Sequence, residues 1–235
     1  MSSEVEVQVS VEEWELLETY LSKDRLSNYL SATRGSLSCA LALYNWNTAV
    51  SAAFYGPLQW LEVTLRNSID RCLAETYGDA WYFHEDIEFD YICRRYLKEA
   101  RVRLERSGKP VTRPEMVATL SFGFWVTLLS RGGVLSSSGP KADFEMTLWR
   151  PALHRAFPNR PGLSRRQAHR PLYYLRTLRN RIAHHEAIFE RDLRRNYESI
   201  VRVTGWISSA ARARIERHSR VPDLLLTRGD ITMRF

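Results

Sequence analysis

Residues 172–186 read Leu172-Tyr-Tyr-Leu175-Arg-Thr-Leu178-Arg179-Asn180-Arg181-Ile182-Ala183-His184-His185-Glu186. At about 100° per residue, Leu172, Leu175, Leu178 and Ile182 fall on one face, and Phe189 extends it. This spacing predicts a helix from about Pro171 to Phe189 with that face in the core. Asn180 and His184 are spaced i, i+4 on a different stripe, and Arg179 lies at the flank with Glu186. His184 is therefore expected to face solvent or a cleft. His185 falls close to the apolar face and is expected to pack and hydrogen-bond at the core edge.

The same periodicity runs through the whole chain. No alternating strand pattern appears, and glycine and proline fall between long apolar-periodic runs, so the fold class expected is all-α. Ser10-Val11-Glu12-Glu13 reads as a capping box opening a helix to about Leu30. A helical run after Gly35 carries Leu37, Leu41, Tyr44 and Ala49 inward, and Gly56-Pro57 punctuates it. Further helices are expected from Leu58 to Tyr77, Asp86 to Arg106, Pro114 to Leu129, Asp143 to Phe157 and Asp192 to His218. The glycine- and serine-rich stretch 131–140 reads as a loop, and residues after Val221 show little periodicity. The divisions expected are an arm over 1–35, a helical domain over 36–220 and a tail over 221–235.

Bulk composition narrows the function classes. A chain of 235 residues, 44% hydrophobic and 26% charged, is globular and can bury a sizeable core. Cys39, Cys72 and Cys93 are odd in number without CxxC spacing, which argues against a disulfide framework or a zinc knuckle. The first fifteen residues are acidic and lack the features of a signal peptide, and no apolar run approaches roughly 20 residues. The expected setting is a soluble protein of a reducing cytoplasm with no membrane contact.

The net charge of +7 is unevenly placed. Residues 1–30 hold seven acids and two bases, whereas residues 160–220 hold fifteen arginines and five acids. Arginine-rich composition, 30 Arg against four Lys, explains the choice of base but not the clustering around the quoted stretch. A polyanion, most simply nucleic acid, is the expected partner.

Arg179, Asn180 and His184 supply what phosphodiester chemistry needs: a planar fork for phosphate oxygens, a neutral positioning amide and a group that moves a proton near neutrality. A second polar set, Glu62, Arg66 and Asn67, lies in Trp60-Leu-Glu-Val-Thr-Leu-Arg-Asn67. Glu62 and Arg66 can pair i, i+4 on a solvated face; alternatively Glu62 reaches across a helix pair to orient Arg179. His84-Glu85-Asp86 with Glu88 and Asp90 reads as an acidic helix start rather than a metal site. No HExxH, Walker loop, GxGxxG or nucleophile elbow is present, and no metal or cofactor is expected. Trp14, Trp46, Trp60, Trp81 and Trp125 sit among apolar residues and read as core or interface.

The blocks Tyr44-Asn-Trp-Asn47, Leu61-Glu-Val-Thr-Leu-Arg-Asn67, Gly78-Asp-Ala-Trp81, Ser121-Phe-Gly-Phe-Trp125 and Leu178 to Glu186 occur in this order. With Arg179-x-x-x-x-His184, the series resembles the Abi-like (abortive-infection) bacterial family of the HEPN superfamily, over about residues 25–210. The resemblance implies a HEPN-type helical bundle, here with extra N- and C-terminal helices, usually dimeric and acting as a metal-independent endoribonuclease. In such dimers the two Arg-x4-His motifs face one another in a composite site. Arg179, Asn180 and His184 would then be catalytic, with Glu62, Arg66, Asn67, His185 and Glu186 supporting them. Arg181, Arg191, Arg194, Arg195 and Arg202 would follow the RNA backbone. The setting implied is phage defence or a toxin–antitoxin pair, with an antitoxin protein or small RNA as a further partner. A non-catalytic RNA- or protein-binding module is the alternative.

Overall fold

The computed structural model describes residues 9–136 and 139–228. Residues 1–8 of the acidic N-terminus, 137–138 of the loop and 229–235 of the tail lie outside them. Among the described residues the fold is all-α; extended pairing is limited to one isolated antiparallel bridge, Val134 to Lys141. The chain divides into two compact units, and this division does not follow boundaries at 35/36 and 220/221. One unit takes residues up to Tyr55, Arg181–Tyr197 and residues from Ser219; the other takes Gly56–Asn180 and Glu198–His218.

In the first unit, α1 (Val11–Leu21) starts at Ser10, whose hydroxyl accepts from the Glu13 N–H at 3.1 Å. The helix expected to reach Leu30 breaks at Ser22, whose φ of 73° and ψ of 142° lie outside the helical region. The Ser22 hydroxyl accepts from the Arg25 N–H and opens α2 (Lys23–Ala32). The start of α3 (Leu37–Tyr77) buries Ala40, Leu43, Trp46, Val50 and Phe54; Leu37, Leu41 and Tyr44, expected inward, are half-buried. Tyr29 is 1% exposed, with its ring 5.1 Å from Tyr44 and 4.9 Å from Phe189. Burial, then the neighbouring Tyr44, pushes its hydroxyl up to about 12. The expected aperiodic tail instead opens with α10 (Val221–Leu226), where the Leu224 carbonyl accepts from Trp46 Nε1 at 2.8 Å.

In the second unit α3 continues through Pro57 without a break, so Gly56-Pro57 does not divide two helices. Proline forfeits one ladder bond, but Leu58, Leu61, Leu65, Ile69 and Leu73 are buried over the following turns. Gly78, at φ +82, ends the helix as its sequence position suggests. Of the two places expected for Trp60, core or interface, it does not take the core, being 47% exposed.

The helix expected from Asp86 begins later, as α4 (Tyr91–Arg106), because Asp90 is its cap. One Asp90 oxygen accepts from the Cys93 N–H at 2.8 Å and the other from the Gly133 N–H at 2.9 Å. The run from Pro114 to Leu129 splits into α5 (Arg113–Thr119) and α6 (Phe122–Leu128) where Leu120 and Ser121 turn extended. The expected helix from Asp143 is a π turn at Glu145–Trp149 and a 3-10 turn at Leu153–Ala156, separated by Pro151, which has no N–H to extend a ladder.

α7 (Arg165–Ala183), α8 (Leu193–Ile207) and α9 (Ser209–His218) complete the order. α8 and α9 are not the single helix expected: Ser208 closes one and its hydroxyl accepts from Ala211 to open the other. Two of the tryptophan-containing blocks meet in the second unit. Trp81 stacks on Phe124 at 6.2 Å and lies 6.0 Å from Trp125, which places Gly78–Trp81 and Ser121–Trp125 in one aromatic core.

Candidate functional site

Arg179 and Asn180 stand on the last turns of α7 within the second unit, while Leu172, Leu175 and Leu178 fix the helix in its core. Arg179 Nε lies 3.8 Å from Glu62 Oε2, with side chains 41% and 22% exposed. Glu62 therefore takes the cross-helix partner and not its i+4 neighbour Arg66. At this exposure the pair contributes at most about 1 kcal/mol, and its larger effect is to restrict where the guanidinium points. Asn180 is exposed.

Arg66 and Asn67 belong elsewhere in the same unit. They line a cleft of about 400 Å³ with Asp70, Asp79 and Arg113. Asp70 is occupied by Trp81 Nε1 at 2.9 Å and Arg113 Nε at 3.1 Å. The Arg66 Nε is sealed from solvent with no hydrogen-bond partner among the described residues. Glu62, Arg66 and Asn67 thus do not act as one set around Arg179.

His184 lies in the first unit, and its setting differs from expectation. α7 ends at Ala183, six residues before Phe189. His185 adopts φ +55; its N–H donates to the Ile182 carbonyl at 3.1 Å, and the Glu186 N–H donates to the Arg181 carbonyl at 2.8 Å. This pair of bonds is the Schellman termination, with a histidine in the left-handed position usually held by glycine. Arg25 donates to the His185 carbonyl, and Asn47 Oδ1, 6% exposed as a residue, accepts from the Ile188 N–H at 2.8 Å. Phe189 is buried through this turn and not through a helical face.

Both histidines are exposed, so His185 does not sit at a core edge; its role here is carried by its backbone. Glu186 lies past the helix, off the Arg179 stripe, with its carboxylate 3.4 Å from Arg181 Nε. It lines a cleft of about 390 Å³ with Arg25, Asn28, Arg181 and Glu190.

Of the arginines expected to meet RNA, Arg194, Arg195 and Arg202 are exposed. Arg202 also donates to the Ser199 hydroxyl at 3.0 Å. Arg181 is half-buried and engaged with Glu186 and the Ala187 carbonyl. Arg191 corrects the expectation: it is half-buried, its Nε has no described partner, and burial with the charge of Arg181 lowers its pKa. A guanidinium so placed is poorly presented to a passing backbone.

Sequence reasoning missed Arg25 and Asn47, which fix the histidine turn, and Arg176, Tyr96 and Ser121, which share a cleft with Arg179. The available signal was Asn47 itself, a polar residue on an otherwise apolar helical face. Among the described residues no helix is long and apolar enough to cross a membrane, and no cluster of three or more His, Cys, Asp or Glu forms a metal-ligating group. No family model, curated protein or solved structure matches the chain.

Proposed function

We propose that this chain is a metal-independent endoribonuclease of the HEPN type, working as a homodimer in the cytoplasm in phage defence or as a toxin held by an antitoxin protein or small RNA. The observation that carries the reading is Arg179, held by Glu62 and followed by exposed Asn180, five residues ahead of an exposed His184.

RNA brings its own nucleophile, the 2′-OH. One His184 takes the 2′ proton as the 2′-oxygen bonds to phosphorus. The partner subunit's His184 gives a proton to the 5′-oxygen as the P–O5′ bond breaks. Arg179 donates two parallel hydrogen bonds to the non-bridging oxygens as charge builds on them, an effect worth about 3–4 kcal/mol in comparable sites. Asn180 holds the phosphate without adding charge. The products are a 2′,3′-cyclic phosphate and a 5′-OH. Exposed Arg194, Arg195 and Arg202 follow the backbone.

A second reading, a non-catalytic RNA- or protein-binding module, is favoured by one observation: the bonds that fix the turn at His185 run through the backbone, and the imidazoles of His184 and His185 are both exposed. Purified wild-type chain should cut RNA in EDTA, whereas Arg179→Ala and His184→Ala should each lose about 10²–10⁴-fold in rate and His185→Ala little. Loss of cleavage on chelation, or equal rates in wild type and both variants, sinks the enzymatic reading. Salt-sensitive binding without cleavage selects the second.

A further inference from the structure

Tyr96 on α4, Ser121 and Gly123 at the head of α6, and Arg176, Arg179 and Asn180 on α7 line one cleft of about 120 Å³, all within the second unit. That volume lies well below the roughly 300–1,000 Å³ of small-molecule pockets. It suits a single compact group. The lining is two arginines, an asparagine, a tyrosine, a serine and Gly123, with the apolar ring of Phe122 beside them, and no acidic residue is among them.

Gly123 is what opens the cleft. A Cβ at this position would lie 2.9 Å from the Tyr96 hydroxyl and 3.5 Å from the Ser121 hydroxyl. Two hydroxyls therefore lie close to the place a side chain at 123 would take. Ser121 makes no capping bond to α6, so its hydroxyl is not committed there. Tyr96 is held by its ring, which packs edge-on against Phe124 at 6.2 Å.

The two arginines differ. Glu62 offsets the charge of Arg179, whereas Arg176 has no acidic partner among the described residues and lies over the Tyr173 ring at 5.6 Å. An uncompensated guanidinium, a second one restrained by a carboxylate, two hydroxyls and an amide make a donor-rich, acid-free cradle. Tetrahedral oxyanions fit such a cradle, because every one of their oxygens accepts hydrogen bonds.

We infer that this cleft is a phosphate subsite, and that Arg176, Tyr96 and Ser121, together with Arg179 and Asn180, seat a phosphodiester of the RNA chain. The assignment of the phosphate to RNA rests on the proposed ribonuclease reading. Arg176 supplies the charge that draws the phosphate in, and Tyr96 and Ser121 supply the short donors that fix its orientation.

The test uses the full chain and a labelled, 2′-O-methylated oligoribonucleotide, which cannot be cut, followed by anisotropy across a salt series. Arg176→Met should weaken binding about tenfold and flatten the slope of log K against log salt by about 0.7, one phosphate contact in a single strand. Arg166→Met, an exposed arginine of the same helix, measures generic charge loss and should do much less. Arg176→Lys, which keeps the charge and loses the fork, should fall between wild type and Arg176→Met.

Gly123→Ala should reproduce Tyr96→Phe, and the double variant should add little. Arg176→Met and Gly123→Ala that both bind like wild type, while Arg179→Ala does not, overturn the subsite and leave the ribonuclease reading intact. If the wild type neither binds nor cuts RNA, that reading fails instead. The cleft is then judged with inorganic phosphate: Arg176-dependent thermal stabilisation keeps it, and equal curves for wild type and Arg176→Met end it.

Discussion

The two halves of the Arg-Asn-His stretch are anchored by different means. Arg179 and Asn180 ride on a regular helix, and the Arg179 side chain has a carboxylate facing it at 3.8 Å. Residues 184–186 lie past the helix end, in a turn tied down through its backbone by Asn47 and Arg25. One half has its side chain restrained; the other has its main chain restrained and its imidazoles presented to solvent. An exposed arginine needs a partner to point one way, because it has many rotamers to lose. A histidine on a locked turn has only two side-chain torsions, so fixing the backbone already confines the ring.

The contrast breaks first at Asn47. Asn47→Leu removes the acceptor for the Ile188 N–H at a buried position, and an orphaned buried donor costs about 1–3 kcal/mol. Urea unfolding should show that loss. A midpoint unchanged from wild type would mean that the turn does not depend on this bond.

A smaller effect of opposite sign is expected at the cap. His185→Gly places glycine where φ is +55; relief of strain outweighs the extra freedom of the unfolded chain, and stability should rise by up to about 1 kcal/mol with cleavage unaltered. A drop in cleavage with the fold preserved would return His185 to the chemistry.

The smallest effect belongs to Glu62. A double-mutant cycle of Glu62→Gln with Arg179→Lys should give a stability coupling of about 0.2–1 kcal/mol, since both groups are partly solvated. Its larger signature should be in cleavage rate rather than in unfolding. A coupling near zero in both readouts would remove the restraint that distinguishes the first half from the second.

The helical class and the inward face of α7 were legible because Leu172, Leu175, Leu178 and Ile182 repeat with helical spacing. The Glu62–Arg179 pairing was legible as one of two options, since an arginine near a core needs a carboxylate. Helix ends were legible at Ser10 and Gly78 but not at several others. Ser22 and His185 both take positive φ without being glycine, so the residue type that marks such ends was missing. Pro57 erred the other way: a residue that breaks helices is carried inside one by the burial around it.

Asn47 and Arg25 were hidden for a different reason. They reach the turn from 141 and 160 residues away in sequence, a distance at which local periodicity is silent. The cleft around Gly123 likewise joins α4, α6 and α7, and spacing within any one of them does not reveal it.

The capped turn after α7 has a consequence for hydrogen exchange. The amides of His185 and Glu186 donate to helix carbonyls and that of Ile188 to a buried side chain. These three amides should exchange on the timescale of the helix that precedes them, although the segment is not helical. Protection factors alone would draw the end of α7 several residues too late, and the exposed imidazoles would sit on one of the slowest-exchanging loops of the chain.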